Sequence, residues 1–149
     1  MAVIICSACL LGVSCRHDGR SKPDRKAISL SKKETLIPVC PEQLGGMPTP
    51  RPDAEMAGGS GADVLDGKAR VFDSDGKDVT AHFTSGAEEC LRIARMSGAS
   101  EAILKQRSPS CGSGKIYDGT FSKTVMNGDG VTAALLKRNG IKVITEEDL

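Results

Sequence analysis

The chain has 149 residues and a mass of 15.6 kDa, with 20 Lys+Arg against 19 Asp+Glu. That length predicts one domain over residues 1–149, and the charge balance excludes the strong basic character of a dedicated duplex-nucleic-acid binder. Apolar residues at 39 % and charged residues at 26 % exclude a disordered tail or an extended coiled coil. No apolar run approaches the roughly 20 residues that cross a bilayer, and the stretch Ala2–Ile5 is too short for a signal peptide, so we expect a cytoplasmic protein.

Along the chain, Val3-Ile4-Ile5 and Leu36-Ile37-Pro38-Val39 are short apolar runs bounded by polar residues, the pattern of buried strands. The stretch from Gly45 to Gly67 carries Gly45-Gly46, Pro48, Pro50, Pro52 and Gly58-Gly59-Ser60-Gly61, which predicts a long irregular loop. Ala69-Arg70-Val71-Phe72 followed by Asp73-Ser74-Asp75-Gly76 predicts a small hairpin. Val79, Phe83, Ala87, Cys90, Leu91 and Ala94 then recur at helical spacing, with Glu88, Glu89, Arg92 and Arg95 on the other face and Gly98 as the stop. A third strand is expected at Ala102-Ile103-Leu104, a second helix from about Gly130 to Arg138, and a fourth strand at Lys142-Val143-Ile144-Thr145. Helices alternating with buried strands predict an α/β domain with a small, largely parallel, Rossmann-like sheet flanked by helices.

Cysteine is the unusual component. Six are present, at positions 6, 9, 15, 40, 90 and 111, and without an export signal they point to metal or reactive-thiol chemistry before a disulfide framework. One Tyr, three Phe and no Trp leave little material for a base-stacking nucleic-acid platform. Cys9 follows the first predicted strand, Cys40 ends the second and Cys111 follows the third. In an open α/β sheet, ligands bind beyond the carboxyl ends of the strands, so these three are expected to converge on one place. Cys90 falls on the apolar face of the long helix and reads as core. Cys6 and Cys9 form a C-x-x-C pair that bridges a strand end and a loop, a weak redox signal. Cys15 reads equally as a reserve ligand, a thiol behind the ligands, or a packed residue. Three thiolates suit an iron–sulfur cluster or zinc and leave one coordination position open, and the spacing does not choose between them.

Other matches fail on their chemistry. Gly112-Ser113-Gly114-Lys115 lacks the leading Gly of a phosphate-binding loop and the hydroxyl after its Lys. Asp73-Ser74-Asp75-Gly76 has Thr84 where a calcium loop needs Glu. His17 and His82 have no nucleophile signature around them.

Three blocks carry a resemblance: Ser7-Ala8-Cys9-Leu10-Leu11-Gly12 with Cys15-Arg16-His17-Asp18-Gly19; Pro38-Val39-Cys40-Pro41-Glu42-Gln43-Leu44-Gly45-Gly46-Met47-Pro48-Thr49-Pro50-Arg51; and Leu104-Lys105-Gln106-Arg107-Ser108-Pro109-Ser110-Cys111-Gly112. In this order and over nearly the whole chain they resemble the domain-of-unknown-function family 523, which includes the bacterial thiouracil desulfidases. His17, where an aromatic is expected, and Met47, where Leu is usual, are small departures. The resemblance implies a [4Fe-4S] cluster held by Cys9, Cys40 and Cys111, the three that strand-end placement also selects, with one iron open to the sulfur of a thiocarbonyl substrate.

The activity so implied is a non-redox desulfuration of a thiolated pyrimidine or nucleoside to the oxo form plus sulfide. Glu42, two residues after Cys40, is placed to activate water or move its proton, and Ser108 and Ser110 to orient substrate or proton beside Cys111. Lys105, Arg107, Arg16 and Arg51 are candidates for a nucleotide phosphate or a pyrimidine carbonyl oxygen. Two other readings stand beside it: a structural zinc module in which Cys15 completes a four-thiolate site, and a sulfur-transfer protein in tRNA thiolation.

Overall fold

A computed structural model describes residues 1–149. In chain order its elements are β1 (Val3–Ser7), a 3-10 turn (Ala8–Leu11), α1 (Arg25–Leu30), β2 (Thr35–Val39), α2 (Pro41–Leu44), β3 (Ala54–Ala57), α3 (Gly61–Leu65), β4 (Arg70–Asp73), α4 (Thr80–Ser97), β5 (Glu101–Leu104), β6 (Lys115–Tyr117), β7 (Val125–Asn127), α5 (Val131–Arg138), β8 (Lys142–Thr145) and a closing 3-10 turn (Glu146–Asp148). The four expected strands form one parallel sheet in the order β2-β1-β5-β8, with Ile5 opposite Ile37 and Ala102, and Ile103 opposite Ile144. A parallel sheet must be covered on both faces, which is why its strands read as continuous apolar runs.

One face carries α4 and α5: Cys90, Leu91, Ala94 and Leu136 pack with Ile5, Ala102 and Leu104. On the other, Leu10 of the 3-10 turn and Ala27 of α1 pack with Ile4, Cys6 and Ile103. The helical spacing of the long segment is realised in α4, whose Phe83, Ala87, Cys90, Leu91 and Ala94 are buried and whose C-cap, Gly98, sits at φ +71° in the left-handed region. Asp24 starts α1 by accepting hydrogen bonds from the Lys26 and Ala27 amides. No helix is long and apolar enough to cross a membrane.

The Gly45–Gly67 stretch is more ordered than its Gly and Pro content predicts. It contains β3 and α3, and β3 pairs antiparallel with β4, Ala54 opposite Asp73 and Ala57 opposite Arg70. The expected hairpin therefore exists with a different partner: across the Asp73–Gly76 turn only the isolated bridge Phe72–Asp78 forms. The strand was hidden because Glu55 is buried between buried Ala54 and Met56, so no polar–apolar alternation marks it. This hairpin builds a second core in which Met56 and Val71 pack with Phe83, Ile116 and Val131.

The strand order reverses direction between β1 and β5, since the chain leaves β1 toward β2 on one side and later enters β5 on the other. Such a switch point opens a crevice beyond the carboxyl ends of the strands.

Candidate functional site

Three segments leave the sheet at this crevice. β1 runs into the 3-10 turn that carries Cys9, β2 ends at Cys40, the N-cap of α2, and β5 leads into the loop that carries Ser108, Ser110 and Cys111. Cys9, Cys40 and Cys111 line one cavity of about 380 Å³ together with Cys15. None of the six cysteines is in a disulfide. Cys6 and Cys90 do not line the cavity; both are fully buried in the core packing, on opposite faces of the sheet.

Cys15 belongs to the site. It packs with Cys9 and Cys40, and its carbonyl accepts the Cys40 thiol at 3.6 Å. The neighbouring Cys15 thiol and then burial push Cys40 far above the ordinary thiol range. Burial pushes Cys111 up to about 12, Cys40 and Glu42 adding to it while hydrogen bonding from Ser7 opposes it. Both shifts favour the neutral thiols of Cys40 and Cys111, so binding a metal group through them would be coupled to proton release.

Glu42 stands in the first turn of α2 with its side chain 13 % exposed. Its Oε1 accepts from Arg51 Nε at 2.9 Å and its Oε2 accepts from Ser110 Oγ at 2.9 Å. Ser108 Oγ lies 3.3 Å from Ser110 Oγ and also accepts the backbone N–H groups of Ser110 and Cys111. Because the single hydroxyl proton of Ser110 goes to Glu42, that of Ser108 is the one directed at Ser110. The order Ser108, Ser110, Glu42 is therefore a continuous donor chain that ends on a carboxylate in the cavity wall.

The basic candidates separate. Lys105 pairs with Glu146 at 3.0 Å and Arg107 with Glu147 at 2.6 Å, both in the C-terminal 3-10 turn. Arg51 is buried against Glu42, which leaves Arg16 as the one of the four without an ion pair. His17 lines the cavity 3.9 Å from Asp53, whereas His82 is outside it, its Nδ1 2.7 Å from the Gly45 carbonyl oxygen.

Sequence reasoning missed two contributors and gave a third another role. Ser7 ends β1, accepts the Lys105 amide at 2.9 Å and contacts the Cys111 thiol. Tyr117 is the one aromatic ring of the tyrosine, phenylalanine or tryptophan type in the cavity lining. Arg51, expected as a ligand for a phosphate or a pyrimidine carbonyl oxygen, is instead buried and paired with Glu42, because nothing local to a Pro-rich stretch announces a buried ion pair.

No three His, Cys, Asp or Glu side chains stand close enough together to hold a single metal ion. A cluster of irons and sulfides is a larger body than one ion and takes its thiolates from points spread around it. Four cysteines around a cavity of this size fit such a group better than they fit one zinc ion.

Comparison with known proteins agrees with this geometry. Residues 4–148 match the family described as 2-thiouracil desulfurase. An uncharacterized protein, YbbK of Bacillus subtilis (strain 168), is 47 % identical over 147 residues, covering 99 % of this chain and 97 % of that protein. A solved structure described as the [4Fe-4S]-dependent thiouracil desulfidase TudS is 44 % identical and superposes with a TM-score of 0.87, covering all of this chain and 93 % of that one.

Proposed function

The chain belongs to the 2-thiouracil desulfurase family, and from that premise we propose that it hydrolyses the thiocarbonyl of a thiolated pyrimidine, as free base or nucleoside. One water is consumed, the oxo pyrimidine is formed and sulfide departs, with no net electron transfer. The observation that carries this reading is that a carboxylate with a hydroxyl donor chain and a set of thiols share one cavity wall.

In this reading Cys9, Cys40 and Cys111 hold a [4Fe-4S] cluster, and Cys15 packs against Cys9 and Cys40 without being a ligand. The cluster, when bound, supplies a soft Lewis acid that withdraws charge from the thiocarbonyl carbon through its sulfur. The rest falls to the chain's own side chains. Glu42 Oε2 accepts the proton of the attacking water, and the Ser108–Ser110 pair keeps that oxygen oriented and passes a proton back toward the departing sulfur. The crevice holds the planar ring and limits bulk water, which strengthens each of these polar contacts. The six unpaired cysteines suit a reducing compartment, so we place the protein in the cytoplasm.

The test is anaerobic purification followed by visible absorption with iron, zinc and acid-labile sulfide assays, on the wild type and on Cys9→Ala, Cys40→Ala, Cys111→Ala and Cys15→Ala. The expected result is a brown protein with about four irons per chain that releases sulfide from 2-thiouracil. Iron and activity should be lost together in the first three variants and iron retained in the fourth. A colourless protein with one zinc that all four substitutions remove would overturn the reading in favour of a structural zinc module.

A further inference from the structure

Arg51 is the one buried cation of the chain, with its side chain 2 % exposed. Each of its three guanidinium nitrogens is engaged, through four of the five N–H donors: Nε donates to Glu42 Oε1 at 2.9 Å, one terminal nitrogen to the Pro48 carbonyl at 3.2 Å and Thr49 Oγ1 at 3.0 Å, and the other to the Cys15 carbonyl at 2.9 Å. Its own amide donates to the His17 carbonyl at 2.9 Å. A guanidinium held by the backbone of two segments has no freedom to swing toward a substrate. This separates it from a phosphate-binding arginine, whose donors face an open site.

Resting on the reading of Glu42 as the group that takes the proton, we propose that Arg51 is the positioning residue that makes Glu42 a one-oxygen base. By occupying Oε1, the guanidinium turns Oε2 to Ser110 and to the cavity, and it fixes the plane of the carboxylate against rotation. The same guanidinium holds the Cys15 carbonyl, which also accepts the Cys40 thiol. The base and the thiol wall are thereby referenced to one backbone oxygen, so the distance from carboxylate to substrate sulfur is set by a rigid frame. The fork is what does this; a lysine ammonium carries the charge but cannot bridge the carboxylate and two backbone carbonyls in one plane.

The test is a double-mutant cycle on the cluster-loaded enzyme with 2-thiouracil, using Arg51→Lys and Arg51→Gln in both the wild-type and the Glu42→Gln background. Iron content, thermal midpoint and equilibrium binding of 2-thiouracil are measured alongside kcat and KM. The expected result is that Arg51→Lys retains iron and binds substrate as the wild type does, yet loses about 10- to 100-fold in kcat, the cost of a misplaced catalytic group. Arg51→Gln should lose at least as much. In the Glu42→Gln background neither change should lower kcat further, since the group they position is already gone. Equal losses in both backgrounds, a rise in KM with kcat unchanged, or loss of iron from Arg51→Lys would each overturn the proposal. Full kcat in Glu42→Gln alone would instead sink the reading of Glu42, and the positioning role with it.

Discussion

Ser110 Oγ and Glu42 Oε2 are 2.9 Å apart although 68 positions separate them in the chain. Ser110 is 1 % exposed and its loop is fixed by Ser108, so this hydrogen bond is a built contact between the end of β2 and the loop after β5. Removing the hydroxyl with Ser110→Ala should lower kcat for 2-thiouracil by about 10- to 100-fold, within the range of a lost proton-transfer partner. KM should change little, and stability should fall by about 1 kcal/mol for a carboxylate oxygen deprived of its donor. Ser108→Ala should lower kcat less and stability more, because Ser108 Oγ also accepts two backbone amides. Steady-state kinetics and urea unfolding on both variants check this. Undiminished kcat in Ser110→Ala would reduce the contact to a fold-holding role.

What could be read from the sequence follows from which interactions are local. Cys9, Cys40 and Cys111 were legible because each sits where an apolar run ends, and strand ends in an α/β sheet gather at one edge. Cys90 was legible by helical spacing. Cys15 is not legible in the same way, because its place depends on a loop folding back to pack against Cys9 and Cys40, a contact with no periodicity. The pairing of Arg51 with Glu42 spans nine positions of Pro- and Gly-rich chain, and composition there suggests only a loop. β3 escaped for a related reason: Glu55 is buried because its Oε1 accepts the amides of Gly119 and Phe121 from a distant loop, which the sequence around it does not reveal.

The position of α2 is set by glycine. A Cβ on Gly86 would stand 1.9 Å from the Pro41 carbonyl oxygen, and one on Gly45 would stand 1.9 Å from the His82 carbonyl oxygen. The backbones of α2 and α4 therefore touch, and the helix that begins at Cys40 and presents Glu42 lies directly on the long helix. Gly86→Ala must displace α2, since a backbone carbonyl cannot rotate away as a side chain would. The overpacking costs about 1–3 kcal/mol, partly offset by about 1 kcal/mol of helix propensity gained from replacing glycine. The net change in the thermal midpoint should be a fall of a few degrees, at about 2–4 °C per kcal/mol. The loss of kcat should be disproportionately large, about 100-fold, because Glu42 moves relative to the thiols. Wild-type kcat and midpoint in Gly86→Ala would mean that the contact relaxes without moving α2.

Cys6 supplies a pH dependence separable from the site. It is fully buried in β1 and outside the cavity, and burial first, then Asp24 and Glu146, push its thiol up to about 12. In the unfolded chain the same thiol titrates at its ordinary value near 9.0. Between those two values the unfolded state gives up the proton and the folded state keeps it, so the unfolded state binds fewer protons and stability falls as pH rises. The contribution is complete below the ordinary thiol value and is lost progressively as pH climbs toward 12, at a limiting slope of about 1.4 kcal/mol per pH unit. Cys6→Ala removes this titration and leaves the cavity thiols in place, so the difference in unfolding free energy between wild type and variant isolates it. Measured anaerobically by urea unfolding from about pH 8 to about pH 10.5, the advantage of the wild type should shrink steadily as pH rises. A difference that stays constant over that range would show that Cys6 does not remain a neutral buried thiol in the folded chain.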